Sequence, residues 1–441
     1  MLKSYNPANG AVVGEVPITP VAQIAGIVTT AKQAAKQWRK VSLAERAEKL
    51  TQAGLKLQEK ADEIGQLISA EMGKPVSSGI SETKFCGRGM ASKVAKIAKA
   101  LQSEISVHRS METQTHFDAL GVCAAISPWN YPLSMPQTMV IPALMAGNSV
   151  ILKPSEETPL SAQAYVDVLN AFLPEGLLQI IHGADEQGKA LVKADVDLIA
   201  FTGSRAAGIN IMSAASDSLK RIMLELGGKD PMIVLDDADI EQAAEVAVNM
   251  SFENAGQMCV STERIFVHDS IAEAFEKKVA QLAADVKTGP MVNERQRQHV
   301  IKQIDAAITS GARVLVGGKD HPKAHVLPTV LTDVTDDMDI MQGETFGPVA
   351  CISRFSDIDD AIERANDSVY ALGGAVFGKD ETRACEVARQ LTPGMIGINK
   401  SCFAGGDTPW VGAKQSGYGY HGSVAGHRQF AQLRIITRSV S

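Results

Sequence analysis

Apolar residues in the first hundred positions recur at steps of three and four. After a short extended opening punctuated by Pro7-Ala8-Asn9-Gly10, the residues Val21, Ile24, Val28, Ala31, Ala35 and Trp38 mark one face of a helix. Ser42 and Glu45 make a candidate capping box. Beyond it Leu43, Ala47, Leu50, Leu57, Ala61, Ile64 and Ile68 continue the stripe as one long second helix, stopped by Gly73-Lys74-Pro75. A third helix through Met90, Val94, Ile97 and Leu101 completes a helical layer that reads as scaffold. From residue 121 the rhythm changes to short apolar runs, at 122–126, 150–152, 178–181, 198–201 and 232–235, alternating with amphipathic segments. That alternation predicts a parallel sheet with helices on both faces. A second series follows Cys259, with strands predicted at 265–267, 314–316, 349–353, 373–377 and 395–398 and helices around 271–287, 293–309, 358–366 and 380–391. The fold class is therefore α/β, with two successive sheets. Two polar stretches, 112–117 and 429–437, alternate in strand fashion yet fit neither core; an arm that pairs with another subunit and a simple edge hairpin both suit them.

Composition narrows this picture. At 441 residues the chain is too long for one ordinary core, and 45% apolar with 21% charged residues suits a soluble two-domain protein. A net charge of −7 without a basic run gives no footprint for nucleic acid. Six cysteines, at 86, 123, 259, 351, 385 and 402, are scattered without a CxxC pair or a His/Cys cluster, so no metal is expected. The opening lacks a signal-peptide core and no apolar run is long enough to span a bilayer, so a reduced cytoplasmic setting without membrane contact is expected.

Several stretches are candidates for chemistry. In Asn254-Ala255-Gly256-Gln257-Met258-Cys259-Val260 a cysteine follows a glycine-bearing turn and precedes an apolar strand, a setting that suits a nucleophile. Ser127-Pro128-Trp129-Asn130-Tyr131-Pro132 directly follows the first strand of the sheet, where open α/β sheets place ligands; a merely stiffened turn is an equal reading. Lys153-Pro154-Ser155-Glu156 follows the second strand, where a lysine and a carboxylate suit ribose hydroxyls; alone, a solvated loop suits it better. Phe201-Thr202-Gly203-Ser204 opens a helix whose free amides suit a phosphate, a weak signal by itself. Leu224-Glu225-Leu226-Gly227-Gly228 sets a carboxylate among apolar residues, where burial would raise its pKa toward the neutrality a general base needs. Glu344-Thr345-Phe346-Gly347-Pro348 offers a carboxylate and an aromatic ring, or a plain turn.

Together and in order, SPWNYP, KPSEETP, FTGSRAAG, LELGGKDP, NAGQMC, ETFGPV and PWVGAKQSGYG resemble the aldehyde dehydrogenase superfamily along essentially the whole chain. The resemblance implies a Rossmann-like cofactor domain (1–106 and 119–227), a catalytic domain (228–404) and bridging strands (107–118 and 405–441) that join subunits into a homodimer or homotetramer. It implies Cys259 as the nucleophile toward an aldehyde, Asn130 and the Cys259 backbone N–H as the oxyanion hole, and Glu225 as the base for hydrolysis. The presence of Glu225 points away from the coenzyme A-acylating branch. The cofactor implied is NAD, with NADP an alternative: Lys153 and Glu156 match the adenosine-ribose ligands, Trp129 and Ser204 the positions that meet the pyrophosphate, Glu344 and Phe346 those at the nicotinamide end, and Gly203 and Gly227 are cofactor-binding as well.

Departures from the family pattern stand out. Met139 and His421 occupy positions where relatives have a lysine and a glutamate that move protons from the base, which leaves deacylation to another water path; His421 is read as a surface histidine rather than a replacement. The connection between Val286 and Gly289 is short, as a trimmed surface loop would be. Thr138 and Glu253 stand where succinate-semialdehyde enzymes place arginines, so with Trp410, Phe403, Tyr131 and Met258 the entrance suits a neutral or aromatic aldehyde. Cys123, Cys351, Cys385 and Cys402 read as structural.

Overall fold

A computed structural model describes residues 1–403 and 407–440. The expected boundary between residues 404 and 405 lies outside the described residues.

The N-terminal layer contains more helices than the apolar stripe announces. Ser42 caps the helix Leu43–Glu59 by accepting from the Glu45 N–H at 3.2 Å. The stripe then continues through two helices rather than one, because Lys60 leaves helical geometry and a new helix, Ala61–Met72, starts with Asp62 and Glu63 in its first turn. Acidic residues there favour a helix start. Gly73, left-handed at φ 85°, ends it. A helix without an apolar stripe, Val76–Arg88, follows. It packs through glycine: a Cβ on Gly79 would lie 2.3 Å from the Gly65 carbonyl, and one on Gly87 2.7 Å from that of Gly54. Its buried face is made of Gly79, Glu82, Thr83, Cys86 and Gly87, which carry little apolar surface, so hydrophobic periodicity is silent here. The helix Met90–Ala100 then closes the layer.

Two sheets form the body. In the first, the order is Gly417–Tyr418, Arg221–Glu225, Leu198–Thr202, Val122–Ile126, Ser149–Lys153, Leu178–Ile180, all parallel except the outermost Gly417–Tyr418. In the second, the order is Arg313–Val316, Thr329–Thr332, Val349–Phe355, Thr262–His268, Asp230–Val234, Gly373–Phe377, Met395–Ile398, with only Arg313–Val316 antiparallel. The run at 232–235, which the sequence groups with the first series, belongs instead near the centre of the second sheet. Both sheets carry helices on two faces, as fully buried strands such as Val122–Ile126 and Leu198–Thr202 require.

The polar stretches pair with each other. Met111–Ala119 lies between Ala431–Ser439 and Glu104–His108 in a separate antiparallel sheet. Its exposed residues include Ile105, Val107, Leu433, Ile435 and Ile436. Among the described residues no helix is long and apolar enough to cross a membrane.

Candidate active site

Three neighbouring parallel strands deliver residues to one edge. Val122–Ile126 runs into Trp129 and Asn130, Leu198–Thr202 into Gly203 and Ser204, and Arg221–Glu225 ends on Glu225 itself. Strand order departs in both directions from Val122–Ile126, and the crevice at such a switch point is where open α/β sheets bind ligands. A cleft of about 1330 Å³ opens there, lined by Trp129, Asn130, Gly203, Ser204, Glu225, Gly227, Cys259, Glu344 and Phe346. Lys153 and Glu156 follow the adjacent strand and lie beyond this lining. They face each other, with Lys153 Nζ 3.5 Å from Glu156 Oε2.

Cys259 is presented by an unusual turn. Asn254, Ala255 and Gly256 are left-handed in succession, at φ 54°, 57° and 69°. For Ala255 that conformation costs about 1–2 kcal/mol. Gly256 is obligatory, because a Cβ there would meet the Gly347 carbonyl at 2.0 Å. Gln257 braces the turn, donating to the Asn254 carbonyl at 3.0 Å and accepting from the Val292 N–H at 2.9 Å. Asn130, 5% exposed, donates from Nδ2 to the Gln257 carbonyl at 3.1 Å. That bond uses one of its two amide hydrogens. Asn254 in turn donates to the Asn130 and Gln257 carbonyls, so the two loops are laced together. Gly228 passes so close that a Cβ would lie 2.3 Å from the Cys259 carbonyl.

Burial sets the electrostatics. The Glu225 carboxyl, 8% exposed, is pushed up to about 7 by desolvation, against hydrogen bonds from the Cys259 thiol and Trp410. Trp410 Nε1 donates to Glu225 Oε1 at 3.2 Å, while Oε2 is buried without a partner. Burial, then the facing Glu225, drives the Cys259 thiol well above its ordinary range. The resting pair is thus a neutral thiol beside a carboxyl poised to exchange protons near pH 7. Glu344 is raised to about 8 by burial and then by Glu263, although the Gly228 N–H donates to its Oε1 at 3.1 Å.

The opposite part of the cleft is shaped for a nucleotide. Ser204 caps the helix Arg205–Ser216 by accepting from the Ala207 N–H, the other first-turn amides suit an anion, and Gly203 beside it lies against the Phe201 ring. Gly227 leaves room for Glu344, whose Oε1 lies 2.3 Å from where its Cβ would be. Phe346 meets Trp129 edge-to-face at 5.4 Å between centroids. A polar carboxylate, a flat ring and a free helix start within one cleft fit a dinucleotide.

Other participants have no signal in the sequence. Lys74, read only as part of a helix stop, is buried and binds the Asn130 carbonyl and Glu82, and Glu82 accepts from the Leu133 and Ser134 amides. Lys229 and Glu263 form a buried pair beneath Thr345 and Phe346, whose amides Glu263 accepts. His421 is not a surface histidine: it stacks on Trp410 at 6.2 Å and 10°, and burial holds its imidazole down to about 3. Met139 is fully buried in the helical core. Cys402 departs from the plain structural reading, since it lines the cleft with its thiol 3.9 Å from Asp230 Oδ2. The short connection at Val286 to Gly289 forms a rim of the cleft. Glu253 faces the cleft, whereas Thr138 is not among its described lining residues and turns its hydroxyl to the Met135 carbonyl. Among the described residues no group of three or more His, Cys, Asp or Glu side chains could hold a metal ion.

The aldehyde dehydrogenase family profile matches residues 1–436. The chain is 35% identical to a 3-sulfolactaldehyde dehydrogenase from Pseudomonas putida, over 98% of this chain and 92% of the relative. It superposes on an Escherichia coli NADP-dependent enzyme with a TM-score of 0.96 at 30% identity, covering 100% of this chain and 95% of the other. A Staphylococcus aureus betaine aldehyde dehydrogenase in complex with NAD+ gives 0.94 at 31%, covering 100% and 93%. This chain belongs to the aldehyde dehydrogenase family, and is an enzyme that oxidises aldehydes.

Proposed function

We propose that this protein converts an aldehyde to a carboxylic acid through a thioester on Cys259, with NAD(P)+ as oxidant and water as the acyl acceptor. The placing of the Cys259 thiol, the Glu225 carboxyl and the Asn130 amide in one cleft carries the reading. As a carboxylate, Glu225 takes the thiol proton, and the thiolate forms a C–S bond to the aldehyde carbon. Charge then develops on the aldehyde oxygen, where the second N–H of the Asn130 amide and the Cys259 main-chain N–H stabilise it. Bound NAD(P)+ would supply the hydride acceptor for that carbon, which leaves the acyl group on Cys259 as a thioester. Glu225 gives that first proton up to solvent and, ionised again, takes a proton from water as the water attacks the thioester; the C–S bond breaks, this proton passes to the Cys259 sulfur and the acid leaves.

Trp129, Gly203 and Ser204 would hold the pyrophosphate, Lys153 and Glu156 the adenosine ribose, and Gly227, Glu344 and Phe346 the nicotinamide end. Glu156 favours NAD, because a carboxylate repels a 2′-phosphate. The entrance is lined by Phe85, Tyr131, Met135, Met258 and Phe403, with Glu253 beside them. It suits a neutral or aromatic aldehyde and disfavours a carboxylate-bearing one. The relatives' names span anionic and cationic aldehydes, so the choice rests on this lining. The three-stranded sheet with its exposed Ile105, Val107, Leu433 and Ile435 supports a homodimer or homotetramer, in keeping with bridging strands at 107–118 and 405–441. Six free thiols suit a reducing cytoplasm.

The test is NADH and NADPH formation over a panel of aliphatic, aromatic, cationic and carboxylate-bearing aldehydes, without coenzyme A, on wild type and Cys259→Ala. Turnover of neutral aldehydes by wild type alone supports the reading. Undiminished turnover by Cys259→Ala, or a requirement for coenzyme A, would overturn it.

A further inference from the structure

The segment after Trp410 is woven onto the strand that ends in Glu225. Gly417 pairs with Glu225 and Tyr418 with Leu224, the Leu226 N–H donates to the Ser416 carbonyl at 2.9 Å, and Ser416 Oγ donates to the Gly227 carbonyl at 2.7 Å. The same segment folds back so that Trp410 and His421 are partners in a two-residue antiparallel ladder, their rings stacked. Cross-strand aromatic pairs of this kind fix ring orientation. The outcome is a single indole N–H aimed at one oxygen of the buried carboxyl, with the other oxygen left orphaned.

We propose that Trp410, held from behind by the ring of His421, is a positioning residue that orients Glu225 for thioester hydrolysis. An indole can only donate. Tying Oε1 to it leaves Oε2 as the free acceptor for the proton of the thiol or of water. The bond also favours the ionised carboxylate, so it offsets part of the penalty that burial imposes and keeps the base usable near pH 7. Besides Trp410, the titratable groups facing Glu225 are Cys259 and Glu344; those around His421 are Lys93 and His427. Because burial keeps His421 neutral at ordinary pH, its part is that of a flat ring, not of a proton carrier. His421 stands where the resemblance places the family's glutamate, and there its ring, stacked on Trp410, serves as a brace.

The inference rests on Glu225 being the hydrolytic base. Rapid-mixing experiments separate the two claims: the burst of NADH reports acylation, and the pH profile of the slower phase reports hydrolysis, in wild type, Glu225→Gln, Trp410→Phe, His421→Phe and His421→Ala. Trp410→Phe keeps the ring and removes the donor. The acidic limb of its slow phase is expected to move up by about one pH unit with the burst retained, a roughly fivefold slower hydrolysis at pH 7. His421→Phe is expected to leave that limb where wild type has it, whereas His421→Ala, with the indole unsupported, shifts it in the direction of Trp410→Phe. Should Trp410→Phe fail to fold, the contrast between the two His421 variants decides alone. An unshifted limb in Trp410→Phe, or equal limbs in the two His421 variants, would overturn the inference. A Glu225→Gln enzyme with an ordinary slow phase would instead remove the reading beneath it.

Discussion

The ammonium of Lys74 donates to the main-chain carbonyl of Asn130 at 2.8 Å, and the same nitrogen binds Glu82 Oε2 at 2.9 Å. The lysine also lies over the Tyr131 ring, 4.1 Å from its centroid. The loop that carries the oxyanion donor is therefore anchored from below by a buried ion pair. Lys74→Met strands Glu82 as a buried charge and is expected to cost about 3–5 kcal/mol. Urea unfolding checks this, and Lys74→Met combined with Glu82→Gln should recover part of the loss. An undiminished midpoint in the single variant would show that the pair anchors nothing.

Gly256→Ala should be far worse than its size suggests. The position is left-handed, and the added methyl would meet the Gly347 carbonyl at 2.0 Å. A loss of at least about 2 kcal/mol is expected from backbone strain, together with loss of the NADH burst. Ala255→Gly, one residue earlier and also left-handed, should be tolerated in thermal melts, because glycine enters that region without a penalty.

How much of this was legible in the sequence depends on what holds each part. Uninterrupted apolar runs such as Val122–Ile126 announce buried parallel strands, and the motif order announces the family. The helix Val76–Arg88 is hidden because Gly79 and Gly87 pack backbone on backbone. Arg221–Glu225 is hidden because charged residues bound a short apolar middle. Within the site, the residues at strand ends are readable from position, and the structure brings Trp129, Asn130, Gly203, Ser204, Glu225, Cys259, Glu344 and Phe346 into one cleft. Lys74, Glu82, Lys229 and Glu263 are not readable, since a lone charged residue usually signifies a solvated surface and the main-chain groups they bind, at Asn130, Leu133, Thr345 and Phe346, come from distant loops. His421 misleads for the same reason: nothing local tells that Trp410 covers it.

Glu344→Gln should move stability and cofactor affinity in opposite directions. The carboxyl is raised from 4.5 to about 8, so the folded state binds its proton more tightly than the unfolded chain. Wild type accordingly loses stability as pH rises from about 4.5 to about 8, and Glu344→Gln escapes that loss. The variant is expected to be more stable at pH 8 by roughly 2–4 kcal/mol, with little difference at pH 4.5. Calorimetric titration above pH 8, where the wild-type carboxyl is ionised, should meanwhile show NAD+ bound about tenfold or more weakly, as the loss of a charged hydrogen-bond partner implies. A variant no more stable at pH 8 than wild type would refute the burial argument.

Glu253 stands at the cleft in an exposed position, so its influence on substrates is modest and salt-dependent. Glu253→Gln is expected to raise kcat/KM for a carboxylate-bearing aldehyde roughly two- to fivefold at low salt and to leave a neutral aliphatic aldehyde unaffected. Equal changes for both would mean that charge does not select at this entrance.

The central claim is that an acyl group resides on Cys259 until Glu225 activates water. Glu225→Gln mixed with NAD+ and an aldehyde, quenched over a time course of seconds to minutes and weighed intact, measures this directly. One acyl group per chain is expected, mapped to the peptide containing Cys259, after an NADH burst that is slowed yet stoichiometric and with turnover reduced about 10²-fold or more. Sustained turnover by the variant without an adduct, or an adduct on any other residue, would contradict the account.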